Sequence, residues 1–187
     1  QLETFEAIIT KRGAKVIWAE DAQQALDAIK KICEEKNCKT LVKSKSMVTE
    51  EIHLNAFLEK NGIESVETDL GEYIQQLDGE APYHIVTPAM HKSKEDVAKL
   101  FAEKLGTDPK ATPEELTLTA RRILRDKYVQ AEVGVTGANF IISDIGGIAV
   151  TENEGNARLS CSMPKTHIVV VGIEKMIPSM TDLALFW

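Results

Sequence analysis

Residues 133–172 open on Val133-Gly134-Val135-Thr136-Gly137-Ala138-Asn139-Phe140. They continue through Asp144-Ile145-Gly146-Gly147 and Glu152-Asn153-Glu154-Gly155-Asn156-Ala157-Arg158, and end, after Pro164, on the run Ile168-Val169-Val170-Val171 and Gly172. Segments 140–142, 148–150 and 168–171 are short, apolar and rich in β-branched residues. Glycine, asparagine and acidic residues separate them, so each reads as a buried strand bounded by turns. Polar side chains then collect at strand ends, where glycines let the backbone turn sharply or press against a ligand.

Working back toward the start, helices and strands alternate. Leu2, Phe5, Ile8 and Ile9 recur at helical spacing up to Gly13, and residues 15–18 read as a short strand. Asp21 can cap a helix whose stripe is Ala22, Ala25, Leu26, Ile29, Ile32 and Cys33, and residues 40–42 follow as a strand. A helix over 49–61 stops at Gly62, a strand follows over 63–67, and Tyr73, Ile74 and Leu77 mark a short helix. Residues 84–87 read as another strand. Ser93 with Asp96, and Thr112-Pro113-Glu114-Glu115, are two helix starts, the first helix ending at Gly106. This alternation predicts an α/β fold with a mainly parallel sheet and helices on both faces.

Composition narrows the class of function. The chain has 187 residues, 43% hydrophobic and 27% charged, which fits one ordinary globular domain. With 22 basic and 29 acidic residues the net charge is −7, and no basic cluster tracks a nucleic acid backbone. No apolar run approaches the roughly 18 residues of a membrane span, and the N-terminal residues lack a signal-peptide pattern. The three cysteines are odd in number and lack metal-site spacing, which fits a reducing compartment. A cytoplasmic protein with no metal site of its own is expected, with Cys33 in the core and Cys38 incidental. The chain starts without methionine and stops on an uncapped apolar helix start, so a fragment of a longer polypeptide is expected.

In an open parallel sheet, ligands bind beyond the carboxyl ends of the strands. Three loops fall there. Lys43-Ser44-Lys45-Ser46 offers two cations, two hydroxyls and free amides suited to a phosphate or carboxylate, or forms a solvated turn. Residues 87–93 carry His91 and Lys92, which serve equally as capping or surface groups. In the third loop, Glu152 and Glu154 are candidates for general acid or base work if like charges approach closely, and Thr136, Gly137, Asn139 and Asn156 are candidate ligand contacts. A plain turn explains the same residues, with Arg158 neutralising one glutamate. His167 reads as a structural hydrogen-bonding residue. The chain has no G-x-G-x-x-G after a strand, Walker loop, H-E-x-x-H or G-x-S-x-G, which removes support for the mechanisms those motifs carry.

Six motifs in order resemble one family over nearly the whole chain. They are Val42-Lys43-Ser44-Lys45-Ser46-Met47, Thr68-Asp69-Leu70-Gly71-Glu72-Tyr73-Ile74, His84-Ile85-Val86-Thr87-Pro88-Ala89, Gly137-Ala138-Asn139-Phe140, Glu152 to Leu159, and His167 to Lys175. The chain resembles the lactate-utilisation iron-sulfur proteins. The resemblance implies that residues 1–187 are a single LUD domain, similar in fold to the sugar-phosphate isomerase and coenzyme A transferase superfamily. It further implies a ferredoxin-like segment with two 4Fe-4S clusters beyond residue 187, so that the full-length protein carries the clusters and these residues hold no cofactor.

Such proteins act with two partner subunits in a bacterial cytoplasmic complex that oxidises L-lactate to pyruvate. An electron-transfer component that binds an anionic metabolite in the cleft of the three loops is therefore expected. The competing expectations are a free-standing small-molecule enzyme related to coenzyme A transferases or isomerases, with Glu152 or Glu154 as base, and a scaffold whose loops only present surface. Glu152-Asn153-Glu154-Gly155 looks somewhat like the glutamate loop of coenzyme A transferases, but its spacing departs from it and no covalent glutamate mechanism is carried over.

Overall fold

Side chains that mimic a helical turn start the helices where the sequence places them. Asp21 accepts from the Gln24 amide, and Ser93 with Asp96 and Thr112 with Glu115 form reciprocal capping boxes. The computed structural model describes residues 1–80, 89–152 and 154–186. In chain order these contain α1 (Leu2–Lys11), α2 (Ala22–Glu35), β1 (Thr40–Lys43), α3 (Met47–Glu51), α4 (Leu54–Lys60), β2 (Glu64–Glu67) and α5 (Leu70–Asp78). There follow α6 (Lys94–Leu105), α7 (Pro113–Gln130), β3 (Val133–Thr136), β4 (Phe140–Ile142), β5 (Gly147–Ala149), α8 (Asn156–Ser162), β6 (Thr166–Val169) and β7 (Met176–Ile177), with short 3-10 helices at Ile173–Lys175 and Met180–Leu185. The strand expected over 84–87 lies outside the described residues.

The α/β expectation holds. Four parallel strands run in the order β2-β1-β3-β6, with Lys43 beside Glu67, Leu41 beside Val133 and Val133 beside Thr166. Side chains alternate across this sheet. Leu41, Val133 and Val135 pack with Leu26, Ile29 and Cys33 of α2 and with Leu54 and Leu58 of α4. Val42 and Val66 pack on the other side with Tyr73, Phe101, Leu124 and Tyr128 of α5, α6 and α7. Helices thus cover both faces, and every strand of the sheet points its carboxyl end the same way. Among the described residues no helix is long and apolar enough to cross a membrane.

Four local expectations are corrected. Residues 15–18 form no strand. Ile17 and Trp18 are nearly half exposed, and the Trp18 indole donates to Glu6 at 3.0 Å, so the apolar run found an aromatic tether instead of a partner strand. The helix expected over 49–61 is two helices, broken at His53 with φ +55°. Neither glycine nor proline marks the break. Thr49 and Glu50 engage a buried cation, described below, while Leu54 and Leu58 fill the core. Segments 140–142 and 148–150 do become strands, but outside the parallel sheet: β4 pairs antiparallel with β5 and parallel with β7 in a separate three-stranded sheet. Finally, the central strand β3 and the helix α8 occupy residues first read as turn-rich.

Gly134 seats α8 on the sheet. An added Cβ there would lie 1.8 Å from the Ser160 carbonyl oxygen, so only glycine admits so close a helix. Gly134→Ala is expected to cost about 3 kcal/mol or more through this clash. Urea denaturation of the domain measures it, and an unchanged midpoint would mean that α8 is not held against β3.

Candidate functional site

The parallel sheet delivers its loops to one end, and the final hydrogen bonds of the strands fix where they leave. Ser44 N–H donates to Val135 O at 3.0 Å and Val170 N–H to Thr136 O at 2.9 Å, which draws the exits of β1, β3 and β6 together. Beyond them lies a cleft of about 460 Å³. Ser44, Lys45 and Ser46 come from the exit of β1, Asp69 from that of β2, and Gly137 and Asn139 from that of β3. Glu152 follows β5, Asn156 begins α8, and Glu174 and Lys175 follow β6. Met47, Phe140 and Val150 give it an apolar wall.

Two asparagine amides are oriented by backbone donors. Asn139 Oδ1 accepts the Thr151 N–H at 2.8 Å, and Asn156 Oδ1 accepts the Ala157 N–H at 2.9 Å. A backbone N–H must meet the oxygen, so each residue keeps its NH₂ donor for a ligand. Ser46 is 6% exposed and its hydroxyl has no partner. The close approach of Gly137 confines it: a Cβ there would lie 2.7 Å from Ser46 Oγ. Buried hydroxyls ordinarily find partners, so this one is poised for a group that enters the cleft.

The sequence candidates therefore divide. Ser44, Lys45, Ser46, Gly137, Asn139, Asn156 and Glu152 line the cleft, whereas Lys43, Thr136 and Glu154 do not. Thr136 is buried beneath it with its hydroxyl 2.9 Å from His167 Nε2, and burial pushes the His167 pKa down. Glu152 accepts the Arg158 N–H at 2.8 Å, and its other oxygen lies 3.5 Å from Arg158 Nε, so Arg158 does serve this glutamate. Glu154 accepts the Leu70 N–H at 3.4 Å. Its pKa is raised by burial first and by Asp69 second, so the like charge near it comes from across the sheet and not from the glutamate two positions away. Asn153 lies outside the described residues. His91 and Lys92 sit apart from the cleft, joined to Asp78 and Glu80. Asp69, Glu174 and Lys175 were missed. Asp69 caps α5 and leaves from the exit of β2, and Glu174 and Lys175 leave from the exit of β6, two strand ends outside the three loops to which the strand-end rule applies equally.

Lys43, the expected anion contact, is corrected. Its side chain is 0% exposed, and its ammonium lies 2.8 Å from Glu50 Oε1, 2.8 Å from Glu67 Oε1 and 3.1 Å from Thr49 Oγ1. Alternation explains it: Leu41 and Lys43 share a face of β1, so Lys43 points beneath α3 and not into the loop. Asn55 donates to Glu67 at 2.6 Å and accepts from Ser65 at 2.8 Å. Burial alone would lower the Lys43 pKa, but the carboxylates of Glu67 and Glu50 outweigh it and hold the pKa above its ordinary value. Burial, and then the charge of Glu67, push the Glu72 carboxyl up to about 9. Glu72 keeps its proton at neutral pH, which limits the negative charge buried around one lysine.

The 4Fe-4S clusters implied by resemblance find no ligand set in these residues. A cluster takes four thiolates, and the chain has three cysteines, with Cys33 and Cys38 buried and Cys161 exposed. Cys38 is not incidental: it packs in the same core cluster as Cys33 and its thiol donates to Thr40 O at 3.5 Å. Among the described residues no group of three or more His, Cys, Asp or Glu is placed to hold a metal ion.

The family model described as LUD domain matches residues 2–187. Similar curated proteins include Lactate utilization protein B of Bacillus subtilis (strain 168), 50% identical over 93% of this chain and 36% of that protein. Those of Geobacillus sp. (strain WCH70) and Oceanobacillus iheyensis are 49% and 47% identical, each over 94% of this chain and 37% of the relative. The chain thus spans little more than a third of the length of the curated relatives it matches. No solved structure matches it significantly.

Two measurements test the buried charges. Lys43→Met strands Glu67 in the core and is expected to cost about 3–5 kcal/mol in urea denaturation; a loss below 1 kcal/mol would mean that the pair is solvated. The folded chain keeps the Glu72 proton where the unfolded chain, titrating near 4.5, has released it, so this group's contribution to stability falls as pH rises from about 4.5 through about 9. Glu72→Gln should remove that fall, bringing melting temperatures at pH 5 and pH 8.5 closer together than in the parent.

Proposed function

The chain belongs to the LUD domain family, and from that membership we propose that it is the LUD portion of a lactate-utilisation protein, with its strand-end cleft as the binding site for an anionic metabolite. The observation that carries the reading is the near-complete alignment of these residues with proteins named Lactate utilization protein B. The larger protein is then an iron-sulfur electron-transfer component of a bacterial, cytoplasmic complex that oxidises L-lactate to pyruvate with two partner subunits. Its 4Fe-4S clusters belong to a part of that protein outside these residues.

The cleft supports the ligand half of this reading. Asn139 and Asn156 line it with amides whose oxygens are already engaged, Ser46 adds a hydroxyl without a protein partner, and Lys45 and Lys175 supply positive charge. Hydrogen bonds from ionic and neutral donors together fix both the position and the plane of an oxyanion. The role of these side chains in this reading is to bind and orient the ligand.

The test uses the natural full-length protein purified without oxygen. Iron and acid-labile sulfide should be present in amounts that match two clusters, with a reducible paramagnetic signal. Deletion of its gene in a strain without a second route should slow growth on L-lactate. Normal growth, or iron absent after reconstitution, would overturn the lactate-oxidation reading.

A further inference from the structure

We infer that the occupant of the cleft is a hydroxyl-bearing organic anion of sugar-acid to nucleotide size, recognised by an oxyanion head at Ser46 and the two asparagines and by hydroxyls at Asp69 and Glu152. The inference rests on the cleft being a ligand site, as proposed above, and specifies what that site selects.

Size gives the first argument. A three-carbon hydroxy acid has six heavy atoms and takes about the room of three or four waters, on the order of 100 Å³ at ~30 Å³ per water. The cleft of about 460 Å³ would remain mostly water around it, whereas its volume matches pockets that enclose larger organic ligands. Charge gives the second. Two lysines against the carboxylates of Asp69, Glu152 and Glu174 leave the described lining with a net charge of −1, so a bare anion meets repulsion as well as attraction. A ligand that pairs an anionic head with several O–H donors satisfies both halves.

The two halves are built separately. Ser46 is nine-tenths buried with an unpartnered hydroxyl, and both asparagines are locked as donors. One oxygen of Asp69 caps α5 through Glu72 N–H at 3.1 Å, and one oxygen of Glu152 is taken by Arg158 N–H. Asp69 keeps its second oxygen for a ligand, and the second oxygen of Glu152 has only the long, exposed contact to Arg158 Nε at 3.5 Å, so a hydroxyl can take its place there. Met47, Phe140 and Val150 cover the body of the ligand on the apolar side.

The experiment is titration calorimetry on the natural full-length protein with four probes: L-lactate, inorganic phosphate, AMP and gluconate. At least tenfold tighter binding of AMP or gluconate than of lactate or phosphate is expected. A preference for AMP identifies a phosphate head, and a preference for gluconate a carboxylate head. Ser46→Ala, which removes a hydroxyl with no partner to lose, should weaken the tight probe at least tenfold. The pair Asp69→Asn and Glu152→Gln, which keeps both capping acceptors, should weaken it similarly while leaving phosphate binding equal or improved. Lactate binding as tightly as the larger probes would overturn this inference and leave the anion-site reading standing. Saturation by no probe would overturn both. Tight binding unchanged in these variants would place the ligand elsewhere and overturn the inference.

Discussion

The ion pair between Lys43 and Glu67 joins the two strands whose exits build one side of the cleft. The two residues sit side by side in the parallel register, and neither meets water. Desolvating two charges is costly, and their attraction offsets that cost only with good geometry and further hydrogen bonds. Glu50, Thr49 and Asn55 supply those bonds, so the placement of α3 and α4 is tied to this one ammonium. The break at His53 follows from it: α3 must reach the lysine while α4 fills the core beside it. A salt bridge at this depth specifies which elements meet more than it adds to stability.

Above this layer the architecture separates rigidity from recognition. Buried strands and the tight contact at Gly134 hold the sheet and α8, while short loops at the carboxyl ends carry the groups that face the cleft. The asparagines show how little chain is needed for orientation. One backbone N–H in the adjacent loop or at the next residue settles which end of each amide is offered. The second, smaller sheet contributes through β4 and β5, which bring Phe140 and Val150 to the apolar wall.

Much of this was legible in the sequence, and the failures have physical causes. Capped helices with a regular stripe, such as those begun by Asp21, Ser93 and Thr112, were readable because local hydrogen bonding and periodicity agree there. Residues 15–18 misled because an apolar run looks like a strand until a partner is required. The central strand β3 was missed because it has four residues, one of them glycine, and its burial comes from neighbours distant in sequence. In the cleft, the loop after β1 and the asparagines were found from residue type and strand-end placement. Lys43 was misplaced because sequence reports charge but not the face of a pleat, and the misplacement is resolved by noting that Leu41, two residues back, is core.

The buried cluster also shapes how this domain can diverge. A lone change at Lys43 leaves a carboxylate stranded in the interior, and a lone change at Glu67 removes a fully buried counter-ion of the lysine. Residues sharing one charge network are energetically coupled. Replacement of both by well-packed apolar residues is far milder than either single step. Positions 43 and 67 are therefore separated from an apolar alternative by a fitness valley, and a lineage crosses it only by near-simultaneous substitution. The described cleft side chains immediately above are held by single hydrogen bonds and exposed contacts, not by a fully buried ion pair, so a change there meets a lower barrier and ligand preference can drift over a foundation that is locked.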